Sequence, residues 1–368
     1  IDYIKDPSTL SKKTQRKLQS QGSRPCLILR IDPKIEAGKL VCQLGSGEPE
    51  LALQAARHVY RDVSAIDINM GCPRKFSVSG GMGSALLKDP ERASRIIKTL
   101  KKEIPRPVSC KIRLLEDTQQ TVDFVETMIR SGADAVAIHA RRVGHDSTVS
   151  ADWKTLEEVL AVLRPKYPDF PFLVNGDFYD RKERSEFIER TKANGVLLGR
   201  PALYNTSTFL PETKPLEDKT TVIQEYLKMA VRYDIHYKNP KYVVCEMMSN
   251  RRSPSERVPF LPLDFPGGQT IAKTCSCNDL VGMCQVWNVN YSDAKAFRLN
   301  QPADSSVTSA NTEISTLVAG EHRYEDSYFL KRDADHVTLE EKKTDKDATT
   351  VDSIGQAHQS SKRIKVLD

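Results

Sequence analysis

The segment SAIDINMGCPRKFSVSGGMGSALLKDPERASRIIKTLKKEIPRPVSCKIRL, residues 64–114, decides the fold class of this chain. Two short apolar, β-branched segments, 64–70 and 107–114, enclose a stretch of helical period that begins after Asp89-Pro90. Asp is a favoured N-cap and Pro is favoured at the first helical position, so a helix is predicted from residue 90. Because the flanking segments are continuously apolar, we expect parallel strands that are covered by helices.

The same alternation of strand-like and helix-like segments continues from Lys39 to about residue 200. The other segments that predict strands are KLVCQL (39–44), AVAIHA (135–140), FPFLVNG (170–176) and GVLLGR (195–200). Segments of helical period lie between the strands, at 48–62, 89–104, 121–132 and 152–167. Six strands that alternate with helices predict an α/β domain with a parallel sheet.

The polar residues near the strand ends decide between two parallel-sheet architectures. A doubly wound sheet gathers its ligand groups at one switch point, whereas a barrel uses the ends of all its strands at one face. Functional-looking side chains accompany five consecutive strands, which favours the barrel. They are Asn69, Cys72, Lys111, His139, Arg141, Asn175, Asp177 and Arg200. Since a TIM (β/α)8 barrel has eight strands, we expect its first two strands to be missing from this chain.

Three regions of the chain differ in composition. Residues 1–215 carry the barrel pattern and are predicted to form a TIM-barrel domain that is incomplete at its N-terminus. Residues 216–300 have helical period without regular strands, which predicts a small all-helical domain. Residues 301–368 are rich in Ser, Thr, Asp and Lys and too poor in apolar residues to offset the entropy of ordering, so a disordered acidic tail is expected.

The overall composition excludes several classes of protein. The chain has 368 residues, 39% of them hydrophobic, and a formal net charge of +6. This apolar share argues against a wholly disordered chain, and no stretch approaches the roughly 20 apolar residues of a membrane-spanning helix. Residues 1–215 contain 35 Lys and Arg against 27 Asp and Glu, whereas residues 301–368 contain 9 against 13. A basic body masked by an acidic tail suits a polyanionic partner that binds more weakly as salt rises.

Cysteine usage points to a reducing compartment, because eight cysteines in a chain of this length are too sparse for a disulfide-stapled domain. Cys275, Cys277 and Cys284 are clustered, but a Cys-Ser-Cys spacing without a nearby His fits zinc poorly, so no metal site is expected. Cys72 differs from these because it lies in a Gly-Cys-Pro turn directly after a strand. Thiols are mostly protonated at neutral pH, so Cys72 is a candidate general acid as well as a candidate nucleophile.

Two further groups of residues indicate a site that stabilises negative charge. Lys111 and His139 follow apolar strand residues, and Arg141 comes two residues after the histidine. Donors on adjacent strands suit an anionic or electron-rich ligand. The segments NGD (175–177) and LGR (198–200) end the last two strands, where barrels commonly bind a cofactor phosphate through glycine amides and an arginine.

These motifs together resemble the tRNA-dihydrouridine synthases, most closely the eukaryotic class that modifies uridine 20 of the D-loop. The resemblance covers roughly residues 1–300 and rests on CQLGS, DINMGCP, CKIRL, VAIHARR, VNGDF and LLGRPAL, in that order. It continues into the helical region through EYLKMAVRYDIHY and KNPKYVVCEMM. It implies an FMN-dependent oxidoreductase that uses NADPH to reduce the C5–C6 double bond of uridine in tRNA.

The resemblance also implies roles for individual residues. Cys72 resembles the catalytic cysteine that protonates C5 of the target uracil, and Asn69 resembles the residue that holds the target base. The residues implied to bind FMN are Gln43, Lys111, His139, Asn175, Gly176, Asp177, Gly199 and Arg200. The basic residues of the implied tRNA-binding helical domain are Lys228, Arg232, Lys238, Lys241, Arg251 and Arg252.

Two other functions fit many of the same residues. One is a different FMN barrel enzyme that acts on a small pyrimidine, and the other is an RNA-binding protein that no longer holds flavin. The implied partners of the leading hypothesis are tRNA, recognised at its D-loop, and NADPH, without a membrane. The absence of a signal segment leads us to expect a cytoplasmic protein that could also enter the nucleus.

Overall fold

The computed structural model describes residues 2–5, 26–248, 265 and 267–299 of the chain. Its first two strands, β1 (Asp2–Lys5) and β2 (Cys26–Arg30), pair antiparallel in a small sheet of their own. The apolar run at β2 is visible in the sequence, whereas β1 is not among the predicted strands. This pair of strands belongs to a unit whose N-terminal part ends at Ile31. Residues 32–303 form a second, larger unit.

The larger unit is built on one parallel sheet of six strands that alternate with helices. The strands are β3 (Val41–Leu44), β4 (Ala65–Asn69), β5 (Val108–Leu114), β6 (Ala135–Arg142), β7 (Phe172–Asn175) and β8 (Gly195–Leu197). The helices of this part are α1 (Pro33–Glu36), α2 (Pro49–Val59), α3 (Lys75–Ser79), α4 (Pro90–Glu103), α5 (Thr118–Arg130), α6 (Trp153–Lys166), α7 (Arg181–Thr191) and α8 (Arg200–Tyr204). The predicted alternation of parallel strands and helices is therefore confirmed.

The order of these strands across the sheet is the order in which they occur in the chain, from β3 to β8. A doubly wound sheet reverses its order at a switch point, whereas a barrel adds each new strand beside the previous one. The six described strands of this sheet follow the barrel pattern and contain no switch point.

The helix ends follow the capping residues seen in the sequence. Pro90 is the first residue of α4, and Asp89 Oδ1 accepts a hydrogen bond from the N–H of Arg92 at 3.0 Å. Gly132 follows the C-terminus of α5 with a φ of 94°, a conformation that a residue with a Cβ rarely adopts. The predicted start of α4 is confirmed, and the segment of helical period that ends at residue 132 corresponds to the C-terminal part of α5 and its cap.

One face of the sheet is apolar and the other is polar. In β5, Cys110 and Ile112 are fully buried, and the residues that alternate with them are only partly buried. In β4, Ile66 and Ile68 are fully buried in the same way. Since successive side chains of a strand point to opposite faces, the apolar set packs toward the surrounding helices and the polar set shares the other face.

The described part of residues 216–300 consists of helices around a core of their own. They are α9 (Lys219–Arg232), α10 (Lys238–Met248), α11 (Ile271–Ser276), α12 (Leu280–Val286) and α13 (Tyr291–Leu299). Trp287 is fully buried in this core together with Leu227, Val244 and Met283. Arg251, Arg252 and the predicted tail, 301–368, lie outside the described residues. None of the helices in the described ranges is long and apolar enough to cross a membrane.

Candidate active site

The candidate residues on the strands share the polar face of the sheet. Asn69 of β4 is the register partner of Lys111 on β5, and His139 of β6 is the register partner of Asn175 on β7. Gln43 of β3 pairs with the residue two positions before Asn69. Because register partners in a parallel sheet and alternate residues along a strand project from the same face, all five side chains do so.

The sequence places Lys111 and His139 among the strand-end residues, but in the structure neither lies at the end of its strand. β5 continues to Leu114 and β6 to Arg142, so Lys111 and His139 project from the middle of their strands. The shared face, and not the strand end, brings them toward the other candidates. Asn69 is the last residue of its strand, as predicted.

Cys72 lies in a tight turn directly after β4. Asn69 Oδ1 accepts hydrogen bonds from the backbone N–H groups of Gly71, at 3.1 Å, and Cys72, at 3.0 Å. The Cys72 carbonyl oxygen accepts a hydrogen bond from the N–H of Ser84 at 2.9 Å, so the glycine-rich segment folds back onto the turn. These bonds fix the backbone that carries the half-buried Cys72 thiol.

Gly83 is the residue at which the glycine-rich segment comes closest to the Cys72 turn. Its φ is 60°, and an added Cβ would lie 2.6 Å from the Cys72 carbonyl oxygen and would overlap Ser77 Oγ. We expect Gly83→Ala to lower the free energy of unfolding by about 3 kcal/mol, because backbone strain adds to overpacking. Gly38 has a φ of 76° with nothing within 4 Å of its Cβ position, so Gly38→Ala should cost only about 1 kcal/mol. Urea unfolding of both variants tests this difference, and equal losses would contradict it.

A cavity of about 230 Å³ lies on the polar face, at the C-terminal ends of β6, β7 and β8. Seven of the candidate residues named from the sequence line it: His139, Arg141, Asn175, Gly176, Asp177, Gly199 and Arg200. The other predicted residues, Cys72, Gln43, Asn69 and Lys111, do not line the cavity and lie on the part of the polar face formed by β3 to β5 and the loop after β4. The candidates therefore fall into two groups. One group lines the cavity, and the other consists of three strand residues and Cys72, which lies in the turn after β4, here called the thiol turn.

Asp177 is the buried anionic residue of the cavity and pairs with two arginines. Its Oδ1 lies 2.7 Å from Arg141 and 2.6 Å from Arg200, and its Oδ2 lies 2.6 Å from Arg141. Oδ2 also accepts the N–H of Ala151 at 2.8 Å. The side chains of Asp177 and Arg141 are only 3% and 4% exposed, so this ion pair is shielded from water. The carboxylate holds both guanidinium groups in fixed orientations.

An aromatic cluster supports the turn that carries Asp177. Trp153 stacks on Phe178 with ring centroids 4.6 Å apart, and Phe187 meets both rings edge-on. Trp153 Nε1 donates a hydrogen bond to the Gly176 carbonyl oxygen at 2.8 Å. At Gly176 itself, φ is 127°, so the turn excludes most side chains at this position.

Burial, together with the surrounding cationic groups, determines the charge of His139. Burial lowers the pKa of His139 to about 2, with further contributions from Lys111, Arg113, Arg141 and Arg200. The imidazole is therefore neutral at physiological pH and can accept or donate one hydrogen bond. Burial also lowers the pKa of Lys111, to about 8, while the Asp67 carboxylate raises it and Arg113 lowers it.

The depressed pKa of His139 predicts a specific loss of stability in acid. The unfolded chain takes up a proton near pH 6.5 that the folded protein does not bind until about pH 2. Stability from this group is thus complete above pH 6.5 and falls as the pH is lowered, by about 2 kcal/mol at pH 5. We expect His139→Gln to lack this loss when the free energy of unfolding is compared at pH 7.5 and pH 5. Equal losses in both proteins would mean that His139 is protonated in the folded state.

Arg113 connects the cavity to the thiol turn and is not among the residues predicted from the sequence. Its guanidinium donates to the Gly71 carbonyl oxygen at 2.9 Å and to the carbonyl oxygens of Arg142 and His145 at 2.9 and 2.8 Å. It also lines the cavity. The signal in the sequence is its spacing from Lys111, since residues two apart on a strand project from the same face.

The donor groups of the cavity fit an anionic cofactor. Arg113, Arg141 and Arg200 line the cavity, whereas the acidic residues that line it are the buried Asp177, which pairs with Arg141 and Arg200, and the exposed Asp146. At Gly199, nothing lies within 4 Å of the Cβ position, so a ligand can approach the backbone there. A phosphate or another anionic group matches this excess of positive charge and this open backbone.

Cys275, Cys277 and Cys284 are close together in the sequence, but Cys275 contacts a cysteine from outside this cluster. Cys275 Sγ lies 3.4 Å from Cys245 Sγ, so a thiol of α11 pairs with a thiol of α10. Cys277 and Cys284 are buried. Among the described residues, no three His, Cys, Asp or Glu side chains are placed to hold a metal ion.

The chain is similar in sequence to proteins of one family. A model of the family described as dihydrouridine synthase matches residues 11–252. A Schizosaccharomyces pombe protein named tRNA-dihydrouridine(20) synthase (NAD(P)+) is 38% identical over 252 residues, 67% of this chain and 48% of that protein. A Saccharomyces cerevisiae protein of the same name is 32% identical over 235 residues, 61% of this chain and 61% of that protein. The chain thus spans between about half and three fifths of the length of these relatives.

Proposed function

This chain belongs to the dihydrouridine synthase family, and from that premise we propose that it is an FMN-dependent tRNA-dihydrouridine synthase. Its reaction is the NADPH-driven reduction of the C5–C6 double bond of a uridine in tRNA, at position 20 of the D-loop. One observation supports this proposal above the others. The turn that carries Cys72 is bound to Asn69 on the same face of the parallel sheet as the cationic cavity, an arrangement that supports an acid and an anionic cofactor acting on the same base.

The domain organisation that we propose follows the same reasoning. The six-stranded sheet is part of a TIM barrel, because its strand order matches that architecture. Residues 1–215 form this catalytic domain, residues 216–300 form a helical tRNA-binding domain, and residues 301–368 form a polar acidic tail. The separate core around Trp287 supports the independence of the helical region.

The residues proposed to hold FMN are those of the cavity and the adjoining strands. Arg200, Gly199 and Gly176 are proposed for the phosphate, and Asp177 orients Arg200 for that contact. Gln43, Lys111 and His139 are proposed for the isoalloxazine ring. When bound, FMN would supply a hydride to C6 of the target uracil.

Cys72 is proposed as the group that protonates C5 of the uracil. Its thiol is held by a turn whose N–H groups bind Asn69 and whose carbonyl oxygen binds Ser84. A fixed proton donor avoids the entropy of orienting a solvent acid. Asn69 is proposed to position the target base, and its amide is itself oriented by Gln43 at 2.8 Å.

The basic residues of the helical region are proposed to bind the tRNA backbone. Lys228 pairs with Glu225 at 2.6 Å, and Lys241 donates to the Cys275 carbonyl oxygen at 2.8 Å, so both ammonium groups are oriented in the free protein. Exposed pairs of this kind are weak and can exchange partners with phosphates. We expect tRNA affinity to fall as salt rises. The cytoplasmic location stays a prediction.

Two measurements on the full chain test this proposal. In the first, FMN is titrated into the protein and its fluorescence is followed, and saturable quenching is expected. In the second, unmodified tRNA and NADPH are supplied, and dihydrouridine is measured by mass spectrometry of the digested tRNA. Reduction of free uridine or uracil instead of tRNA would favour the small-pyrimidine enzyme. Binding of tRNA without binding of FMN would favour the flavin-free RNA-binding protein.

A further inference from the structure

Polar side chains on β3, β4 and β5 form one continuous chain of hydrogen bonds. Ser109 Oγ donates to Asp67 Oδ1 at 2.6 Å, and Gln43 Nε2 donates to Asp67 Oδ2 at 2.7 Å. Asn69 Nδ2 donates to Gln43 Oε1 at 2.8 Å, and Asn69 Oδ1 accepts the two N–H groups of the thiol turn. Asp67, Gln43 and Asn69 thus form an amide relay from a buried carboxylate to the turn of Cys72.

The register of the sheet places the relay. Asp67 is the register partner of Gln43 on β3 and of Ser109 on β5, so its carboxylate lies between two donors. Asn69 is two residues further along β4 and projects from the same face. Asp67 is 8% exposed, and a carboxylate at such a depth is stable only when its oxygens accept hydrogen bonds.

The direction of each hydrogen bond in the relay is determined from both ends. The backbone N–H groups of the turn only donate, so Asn69 must present its oxygen to them and its Nδ2 group to Gln43. Gln43 must then present its oxygen to Asn69 and its Nε2 group to Asp67. A carboxylate only accepts hydrogen bonds, so each donor in the relay faces an acceptor.

We propose that Asp67 is a positioning residue that anchors the Gln43 and Asn69 amides and, through them, holds the turn of Cys72. The catalytic consequence rests on the proposed function, but the hydrogen bonds do not require FMN or tRNA. Without the acceptor at position 67, the Gln43 Nε2 group loses its partner, and the Gln43 side chain is held at one end only. The Asn69 amide then rests on a less firmly held neighbour, and its two hydrogen bonds to the turn weaken.

Hydrogen–deuterium exchange of the Gly71 and Cys72 amides measures this effect directly. Asp67→Ala should accelerate exchange at both amides by roughly fivefold or more, the loss expected for a typical net hydrogen bond. Ser109→Ala is the matched control, because it removes a hydrogen bond to the same carboxylate on the side away from the turn. It should leave the exchange of both amides unchanged.

Asp67→Asn is the conservative variant and should restore the protection that Asp67→Ala loses. Its Oδ1 can accept from Gln43, and its Nδ2 group can donate to the Ser109 hydroxyl, which is able to accept as well as donate. The direction of the relay toward the turn is then preserved. A role limited to charge would not distinguish these two variants, because both remove the carboxylate. A role limited to filling space is tested by the charge exchange described next, which keeps the side chains at positions 43 and 67 the same size.

A charge exchange within the relay tests its direction without removing any side chain from it. Gln43→Glu places two carboxylates in contact and should accelerate exchange of the turn amides. Adding Asp67→Asn gives the carboxylate introduced at position 43 a donor from position 67 and leaves an acceptor for Asn69 Nδ2, so the double variant should recover protection. The comparison of Gln43→Glu with the double variant tests the relay even if Asp67→Ala does not fold.

The outcomes separate the relay from the proposed function. Unchanged exchange in Asp67→Ala, or a double variant no better protected than Gln43→Glu alone, would overturn the relay. The rate of alkylation of Cys72 by iodoacetamide, located by mass spectrometry, provides a second readout that should follow the amide exchange. Dihydrouridine formation is then measured in Asp67→Ala and Asp67→Asn. If the exchange results hold and the wild type makes no dihydrouridine, the relay stands and the proposed function fails.

Discussion

Replacing Cys72 with alanine will lower the rate of dihydrouridine formation by about 10²- to 10⁴-fold, the contribution of a positioned general acid. The thiol is the candidate proton donor on a turn that three backbone hydrogen bonds hold in place. The variant should keep its affinity for FMN, because Cys72 does not line the cavity. Single-turnover measurement with tRNA and reduced enzyme gives the rate of the chemical step.

Cys42→Ala provides the control for Cys72→Ala. Cys42 lies on β3 beside Gln43 and therefore projects from the opposite face of the sheet. Its removal should leave the rate of dihydrouridine formation close to that of the wild type. A loss below tenfold in Cys72→Ala would contradict the assignment of Cys72 as the acid, whatever the flavin content.

Asp177→Asn will lower the free energy of unfolding by about 3 to 5 kcal/mol, because it leaves a buried guanidinium without its counter-charge. Arg141 Nη2 donates to both oxygens of this carboxylate, at 2.6 and 2.7 Å, and Asp177 is its only acidic hydrogen-bond partner among the described residues. Asparagine retains the size of aspartate and tolerates the positive φ of this position, 54°, so the change isolates the charge. Urea unfolding monitored by tryptophan fluorescence measures the loss.

The same substitution at Asp152 is the matched control. Asp152 pairs with Arg142 at 2.8 Å, but the two side chains are 31% and 26% exposed. Pairs that solvent reaches contribute at most about 1 kcal/mol, and asparagine remains a good N-cap for α6. A similar loss in both variants would show that burial of the Asp177 pair has no special weight.

Local signals in the sequence were sufficient to predict the strands of the six-stranded sheet and the helices between them that are named above. The apolar segment that became β5 and the Asp89-Pro90 cap of α4 depend on neighbours within a few residues, so their periods and residue types predict them directly. The strand β1 carries no comparable signal. Its four residues pair with a segment more than twenty positions away, and pairing at that distance leaves little trace in the sequence.

Only part of the site was predicted, because local features are visible in the sequence and contacts between strands are not. Cys72 and the segments around Gly176 and Gly199 are marked by glycines and turns that are local features. Arg113 and Asp67 were missed because their importance depends on the register of neighbouring strands. The strand that carries Lys111 was predicted with its correct C-terminal end, but Lys111 was grouped with the strand-end residues although it lies three residues before that end. The roles of these residues in binding and catalysis stay predictions.

The agreement between strand order and chain order has a consequence for how the protein folds. Each strand from β4 to β8 pairs with the strand that immediately precedes it, so no pairing has to wait for a distant part of the chain. The paired residues are still more than twenty positions apart, as in other parallel sheets, which slows each pairing, but successive units can form in chain order as they leave the ribosome. The growing sheet always exposes the edge of its newest strand during synthesis. We expect this edge to be the part of a nascent chain that chaperones have to protect from association.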